Sequence, residues 1–287
     1  MRFVAFREEM NIGLAVSASE AGGFFGLTTE DPDYPGDLAT LLANGAEALA
    51  SAVKKLGAGR KIDLTKIDFL PPLSRAEKII CVGLNYADHS AESGFKLPDY
   101  PTLFARFSSS FVGHGAPLVK PGISDQFDYE GELVAIIGKG GRDITRSTAL
   151  DHVFGYSVFN DGSVRDYQMR TPQWTVGKNF DGTGAFGPFL VTADEAPNGA
   201  KGLMLQTRLN GVIVQNAPID DMVFSVAELV SIISEVMTLA PGDIIVTGTP
   251  SGVGAARKPP LYMKKGDLVE VEIGNIGLLR NHIINQT

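Results

Sequence analysis

Two glutamates stand two residues apart at the start of an apolar run, Asp128-Tyr129-Glu130-Gly131-Glu132-Leu133-Val134-Ala135-Ile136-Ile137-Gly138. On a strand, residues i and i+2 project to one face, so Glu130 and Glu132 share theirs with Val134 and Ile136, which read as core positions. Two carboxylates on a core-facing edge repel each other and are costly to take out of water. A bound cation relieves both penalties. Oxygen donors with no His or Cys beside them suit Mg²⁺, Mn²⁺ or Ca²⁺ better than zinc. On the pair alone, a half-exposed strand with both glutamates in water is an equal alternative. Asp161 adds a third acid at the end of the strand-like run 152–160. For Asn160-Asp161-Gly162 taken alone, an ordinary turn is the simpler reading.

Other side chains with chemical capacity lie along the same stretch. His89 and Glu92 are three apart, hence neighbours on one helical face. A carboxylate beside an imidazole fixes its tautomer and raises its basicity, which suits a general base acting on water. A solvent-facing pair is the common alternative, and His114 in its Gly-flanked loop ranks second among the histidines. Arg165, with Gln168 one turn on, can pair with a substrate carboxylate. Lys178 is an isolated cation among apolar and small residues, able to stabilise an enolate or oxyanion. For both, a surface position is the default. The loop from Gly248 to Gly254 brings backbone N–H groups and the Thr249 hydroxyl towards a ligand. It lacks the lysine and helix of a phosphate-binding loop. Gly182 to Gly187 satisfies G-x-G-x-x-G but leads into a strand-like run, so it is not a dinucleotide site.

The elements that must position these groups read as mostly strands. Short strands at Phe3 to Phe6, Ile12 to Val16 and Gly23 to Leu27 precede one helix from Leu38 to Leu56, with Asp37 as its N-cap. The proline-marked connector 68–74 places a boundary near residue 75, giving a small N-terminal domain (1–75) and a second domain (76–287). Strands are expected at 78–83, 133–138, 152–160, 188–192, 203–209, 243–247 and 267–273. A helix opens on the capping box Ser225 to Glu228. The fold class is mainly β with a few helices (α+β).

Bulk properties bound the function. The chain has 287 residues, 44% of them hydrophobic, enough for a large core. A net charge of −8 with no basic stripe argues against nucleic acid. No apolar run is long enough to span a bilayer, and Met1 to Arg7 lacks the apolar stretch of a signal peptide. The single cysteine, Cys81, sits in an apolar run and reads as packing. We expect a cytoplasmic protein that binds neither nucleic acid nor membrane.

Taken together, these segments resemble the fumarylacetoacetate hydrolase family in its bacterial two-part form, over residues 75–285. The resemblance rests on G-x-N-Y-x-x-H-x-x-E at Gly83 to Glu92, D-x-E-x-E at Asp128 to Glu132, N-D-x-S-x-R-D-x-Q at Asn160 to Gln168, W-T-x-x-K at Trp174 to Lys178 and T-G-T-P-x-G-V-G at Thr247 to Gly254. It implies a mixed β-sandwich roll with a small N-terminal α/β domain, usually a homodimer, binding Mg²⁺ or Mn²⁺. It implies Glu130, Glu132 and Asp161 as metal ligands, His89 and Glu92 as the water-activating pair, and Lys178 as an enolate stabiliser. We place Arg106, Arg165, Gln168 and Thr249 at the substrate. Arg106 stands where relatives often carry lysine, and Gly162 where a bulkier residue is usual; both departures bear on the substrate pocket.

The activity the resemblance implies is metal-dependent hydrolysis of a C–C bond in a 2,4-dioxo acid, giving pyruvate and a carboxylic acid. Decarboxylation of oxaloacetate, isomerisation or hydration of unsaturated 2-oxo acids, and hydrolysis of 2,4-diketo-3-deoxy sugar acids use the same apparatus. A non-catalytic metal-binding protein is the reading of a different class; His89, Glu92 and Lys178 argue against it, because a structural metal site needs none of them. A homodimer is further suggested by the apolar stretch Phe104 to Val112.

Overall fold

The computed structural model of the chain describes residues 1–17, 22–92 and 99–287; the side chains of residues 89–91 lie outside the description. The chain folds mainly into strands, arranged among the described residues as two large mixed sheets and one two-stranded sheet, Phe127–Asp128 with Ser163–Val164, with a few helices. The larger sheet runs, strand by neighbouring strand, through Arg60–Ile62, Phe24–Thr28, Asn11–Ser17, Arg2–Glu8, Gly184–Thr192, Val153–Asn160, Gly131–Ile137, Ile244–Val246, Ile79–Gly83 and Thr102–Ala105. The second sheet orders Val212–Pro218, Met204–Leu209, Leu268–Ile273, Gly277–Asn285 and Leu118–Lys120.

Gly131–Ile137 lies in the middle of the larger sheet, and every residue of it is buried. One face, with Leu133 and Ala135, packs on Leu205, Val269, Val271, Leu279 and Ile283 of the second sheet. The other, with Val134 and Ile136, packs on Phe3, Leu14, Leu38, Leu41 and Leu56 from the N-terminal part of the chain. Burial on both faces explains why the strand reads as a continuous apolar run and not as an alternation. Each Leu, Ile or Val so buried contributes about 1.5–3 kcal/mol. The half-exposed alternative for the two glutamates therefore fails: the strand they lead into has no wet face.

The N-terminal strand joins the larger sheet directly, with Arg2 opposite Val191 and Phe3 opposite Leu190. Asp37 caps the following helix, accepting from Thr40 N at 2.9 Å. The single helix expected from Leu38 to Leu56 is two, Leu38–Ala43 and Ala46–Gly57. Asn44 closes the first, and Gly45 turns the chain at φ +89°. The helix Val226–Val236 opens on the expected capping box, with Ser225 and Glu228 bonded reciprocally. Strands at Thr102–Ala105 and Val212–Pro218 go beyond those read from the sequence. No described helix is long and apolar enough to cross a membrane.

Candidate metal centre and its cleft

Antiparallel register builds the acidic site. Gly131–Ile137 pairs with Val153–Asn160 so that Gly131 faces Asn160 and Glu132 faces Phe159. The pairing continues one step past the strands: Asp161 N donates to Glu130 O at 2.8 Å. Glu130 N donates to the Asn160 side chain at 3.0 Å. The two strand ends thus deliver Glu130, Glu132 and Asp161 to one place. One carboxylate oxygen from each lies within 4.8 Å of the others, and all three residues are buried.

Among the described residues, three cationic side chains contact this cluster. Lys178, at the end of the one-turn helix Thr175–Lys178, is buried and donates to Glu130 Oε2 at 2.7 Å and to Asp161 Oδ2 at 2.6 Å. Arg165 opens the short helix Arg165–Gln168; its Nη1 meets Glu130 Oε1 at 2.6 Å and Gln168 Oε1 at 2.9 Å. Arg106 Nη1 donates to Asp161 Oδ1. Glu132 differs: its Oε2 accepts from Gly248 N at 2.6 Å, and among the described residues no cationic side chain lies within 4 Å of it.

The electrostatics follow. Burial first, then the Asp161 and Glu130 carboxylates, hold the Glu132 carboxyl well above the usual range, against the opposing pull of Lys178 and the Gly248 N–H. For Lys178, burial acts to lower the ammonium, but Asp161 and Glu130 outweigh it and the pKa is raised. Lys178 is therefore a cation at neutral pH despite its burial. Cys81, beneath the cluster, has its thiol pushed well up by burial and then by Asp161 and Glu132, so it is a packing residue and not a nucleophile. Carboxylates crowded at this distance, one of them unpaired with any described cation, with no imidazole or thiolate in the set, fit a hard divalent cation.

The neighbouring cleft, about 420 Å³, is lined by Leu84, Glu92, Arg165, Gln168, Trp174 and Tyr262 among others. Arg165 and Gln168, expected at the substrate, both border it. The Arg165 guanidinium is held on one edge by Asp128 Oδ2, at 2.8 Å from Nε, while Nη2 is buried with no partner among the described residues. Glu92 sits at the exposed edge, where both its oxygens accept from Gly252 N, at 2.9 and 3.0 Å. His89 belongs to the same helix, Ala87–Glu92, but its side chain lies outside the described residues.

Two expectations are corrected. Arg106, expected to contact substrate, lies behind the carboxylates with its side chain fully buried. Besides Asp161 it donates to Gly162 O at 3.2 Å, Ser110 Oγ and O at 3.0 Å each, and Thr183 Oγ1 at 3.2 Å, so it fastens Asp161. Thr249 is also buried; its hydroxyl donates to Gly131 O at 2.9 Å and accepts from Gln215 at 2.8 Å, which leaves it no proton for a ligand. Gly162 is a packing glycine and not a pocket wall, since a Cβ there would stand 1.9 Å from Thr183 O. His114 borders a different cavity, edge-on to Phe69 and accepting from Arg280 N at 3.2 Å.

Two motif residues to which the sequence reading gives no role lock this arrangement. Asp128 was visible as the first letter of D-x-E-x-E but carried no role. It is fully buried and accepts from Tyr129 N, Gly254 N and Ala255 N at 2.8–2.9 Å as well as from Arg165, tying the glycine loop to the guanidinium. Asn85 does the same for the start of that loop, donating to Thr247 O at 2.7 Å and to Phe224 O at 3.0 Å.

Comparison with known proteins bears on this geometry. Residues 78–284 match the family model described as fumarylacetoacetate (FAA) hydrolase C-terminal. The oxaloacetate tautomerase Fahd2a, mitochondrial, of Rattus norvegicus is 41% identical over 290 residues, spanning 99% of this chain and 92% of the relative. The solved structure of a fumarylacetoacetate hydrolase from Exiguobacterium antarcticum is similar over 100% of both chains, at 34% identity and a TM-score of 0.83. A fumarylpyruvate hydrolase from Pseudomonas aeruginosa, described in complex with Mn²⁺ and pyruvate, covers 76% of this chain and 92% of its own, at 33% identity and a TM-score of 0.68.

Proposed function

The chain belongs to the fumarylacetoacetate hydrolase family, and from that premise we propose that it is a Mg²⁺- or Mn²⁺-dependent enzyme that converts 2-oxo acids through their enols or enolates, with keto–enol tautomerisation of oxaloacetate as its reaction. The observation that carries the proposal is the buried set of Glu130, Glu132 and Asp161 with Lys178 wedged between two of them. The choice of oxaloacetate is supported by the name of the relative that is 41% identical over nearly the whole chain.

Glu130, Glu132 and Asp161 would hold the divalent cation, which when bound supplies Lewis-acid polarisation of a 2-oxo oxygen. Lys178 is a fixed, buried cation beside the position where negative charge grows as an enolate forms, so stabilising that charge needs no reorganisation. Arg165 borders the cleft, and its Nη2 has no partner among the described residues, so a substrate carboxylate brought there would complete its hydrogen bonding. Gln168 and Asp128 keep that guanidinium from rotating. His89, on the same helix as Glu92, would be the base that takes the C3 proton and returns it.

Hydrolysis of an acylpyruvate is the second reading. It is favoured by the position of Glu92 at the exposed edge of the cleft, where water enters and where a His89–Glu92 pair would activate it. Both reactions develop enolate charge on a 2-oxo acid, the oxaloacetate enolate in one and the pyruvate enolate in the other. The test is to supply the metal-loaded chain with oxaloacetate enol and with a panel of acylpyruvates, following enol absorbance and pyruvate release separately. Accelerated loss of enol without pyruvate supports tautomerisation; pyruvate released from an acylpyruvate supports hydrolysis. Neither signal above the metal-only control would refute both.

A further inference from the structure

We propose that Gln215, on the second sheet and outside every motif of the site, is a positioning residue for the metal ligands: it fixes the backbone between Glu130 and Glu132. The inference rests on the reading of those residues as ligands.

Gly131 is the residue between the two glutamates, so the orientation of its two peptide groups sets where both carboxylates go. Each polar group of Gly131 is claimed by a side chain from elsewhere. Its N–H donates to Gln215 Oε1 at 2.9 Å, across 84 positions of sequence. Its carbonyl accepts from Thr249 Oγ1 at 2.9 Å. Gln215 Nε2 closes the ring by donating to Thr249 Oγ1 at 2.8 Å and to Pro250 O at 2.9 Å. Gln215 is 1% exposed, so both of its N–H donors and its carbonyl are spent on this ring with no water to substitute. The loop it grips supplies Gly248 N to Glu132 Oε2 at 2.6 Å. One side chain thus sets the main chain of both glutamates and, through the loop, the outer contact of Glu132.

The close approach of the second sheet makes the arrangement possible. A Cβ on residue 131 would lie 2.2 Å from Thr207 Oγ1 and 2.9 Å from Val271 Cγ1. Only glycine lets the second sheet, whose strand Val212–Pro218 carries Gln215, come this close to the ligand strand. Groups that orient metal ligands from outside typically change affinity by about 10–100-fold when removed.

The test is Mn²⁺ titration calorimetry on chelator-stripped protein, with the melting of the metal-free form measured alongside. Gln215→Met keeps the length and apolar contacts and loses the ring, and is expected to weaken Mn²⁺ binding by about 10–100-fold. Thr249→Val, which removes the other half of the ring, should do the same, and Thr249→Ser should restore most of the affinity. Thr207→Val, beside Gly131 but outside the ring, should leave Mn²⁺ affinity unchanged. Wild-type affinity in folded Gln215→Met and Thr249→Val would overturn the inference alone. A wild-type chain that takes up no Mn²⁺ would overturn the metal reading, and the inference with it.

Discussion

Substituting Glu132 by Gln should make the metal-free protein more stable while abolishing its response to metal. Glu132 is buried, crowded by Asp161 and Glu130, and has no cation within 4 Å among the described residues. Gln keeps the volume and an oxygen for the Gly248 N–H, and removes only the charge. Neutralising buried charge at constant volume ranges from no effect to about 4 kcal/mol of stabilisation, and we expect about 1–3 kcal/mol here. Unfolding entropy of about 2.1 cal/mol/K per residue gives about 0.6 kcal/mol/K for 287 residues, so the metal-free melting temperature should rise by about 2–5 °C. The wild type should gain about 2.7 kcal/mol from Mn²⁺ at a hundredfold excess over its dissociation constant, a further rise of about 4–5 °C. The variant should gain nothing. The sign with pH follows from the raised folded pKa of Glu132. Between the unfolded value and the folded one the native state binds the extra proton, so wild-type stability falls as pH rises through that window. The advantage of Glu132→Gln should therefore be largest at neutral pH and vanish near the ordinary glutamate range. Differential scanning fluorimetry across pH, with and without Mn²⁺, reads all of this. A metal-free variant less stable than wild type at neutral pH, or one that still melts later with Mn²⁺, would refute the reasoning.

Three further outcomes are expected. Lys178→Met leaves Glu130 and Asp161 buried without their shared cation, so metal-free stability should drop by about 3–5 kcal/mol in chemical denaturation and the loss should shrink with saturating Mn²⁺. His89→Ala should lower turnover by roughly 10²–10⁴-fold while Mn²⁺ affinity by calorimetry stays within a small factor; loss of the metal instead would make His89 a ligand. Light scattering at micromolar concentration should return the mass of a homodimer, with the half-exposed Phe107 of the 104–112 stretch at the contact; a fully active monomer would refute this.

The local part of the site was legible because it is written in short-range pattern. Two acids at i and i+2 before an apolar run, and a third at the end of the next run, become neighbours once two adjacent strands pair antiparallel. The capping box at Ser225 and the N-cap at Asp37 were legible for the same reason. What escaped is tertiary. Val212–Pro218 hid because Val212 and Ile213 are exposed while Gln215 points inward, inverting the usual alternation. Within Gly277–Asn285, Asn281 occupies a core position that no spacing announces, satisfied by Gly113 O and Ala116 O at 2.9 and 2.7 Å. Arg106 reads as a substrate group because it stands where relatives often carry lysine. That its partner is Asp161 itself depends on packing no spacing encodes. The Leu38 to Leu56 helix broke because a single glycine dihedral outweighed an otherwise favourable helical run.

The most direct measurement is proton exchange at C3 of a non-cleavable 2-oxo acid, 2-oxobutyrate, in D₂O by NMR with Mg²⁺-loaded protein. It detects the enol or enolate itself and is indifferent to whether tautomerisation or hydrolysis follows. Enolate chemistry at Glu130, Glu132, Asp161 and Lys178 predicts exchange well above the metal-only rate with the wild type, abolished by chelator, by Glu132→Gln and by Lys178→Met. Exchange no faster than with Mg²⁺ alone, or exchange that survives Glu132→Gln, would contradict it.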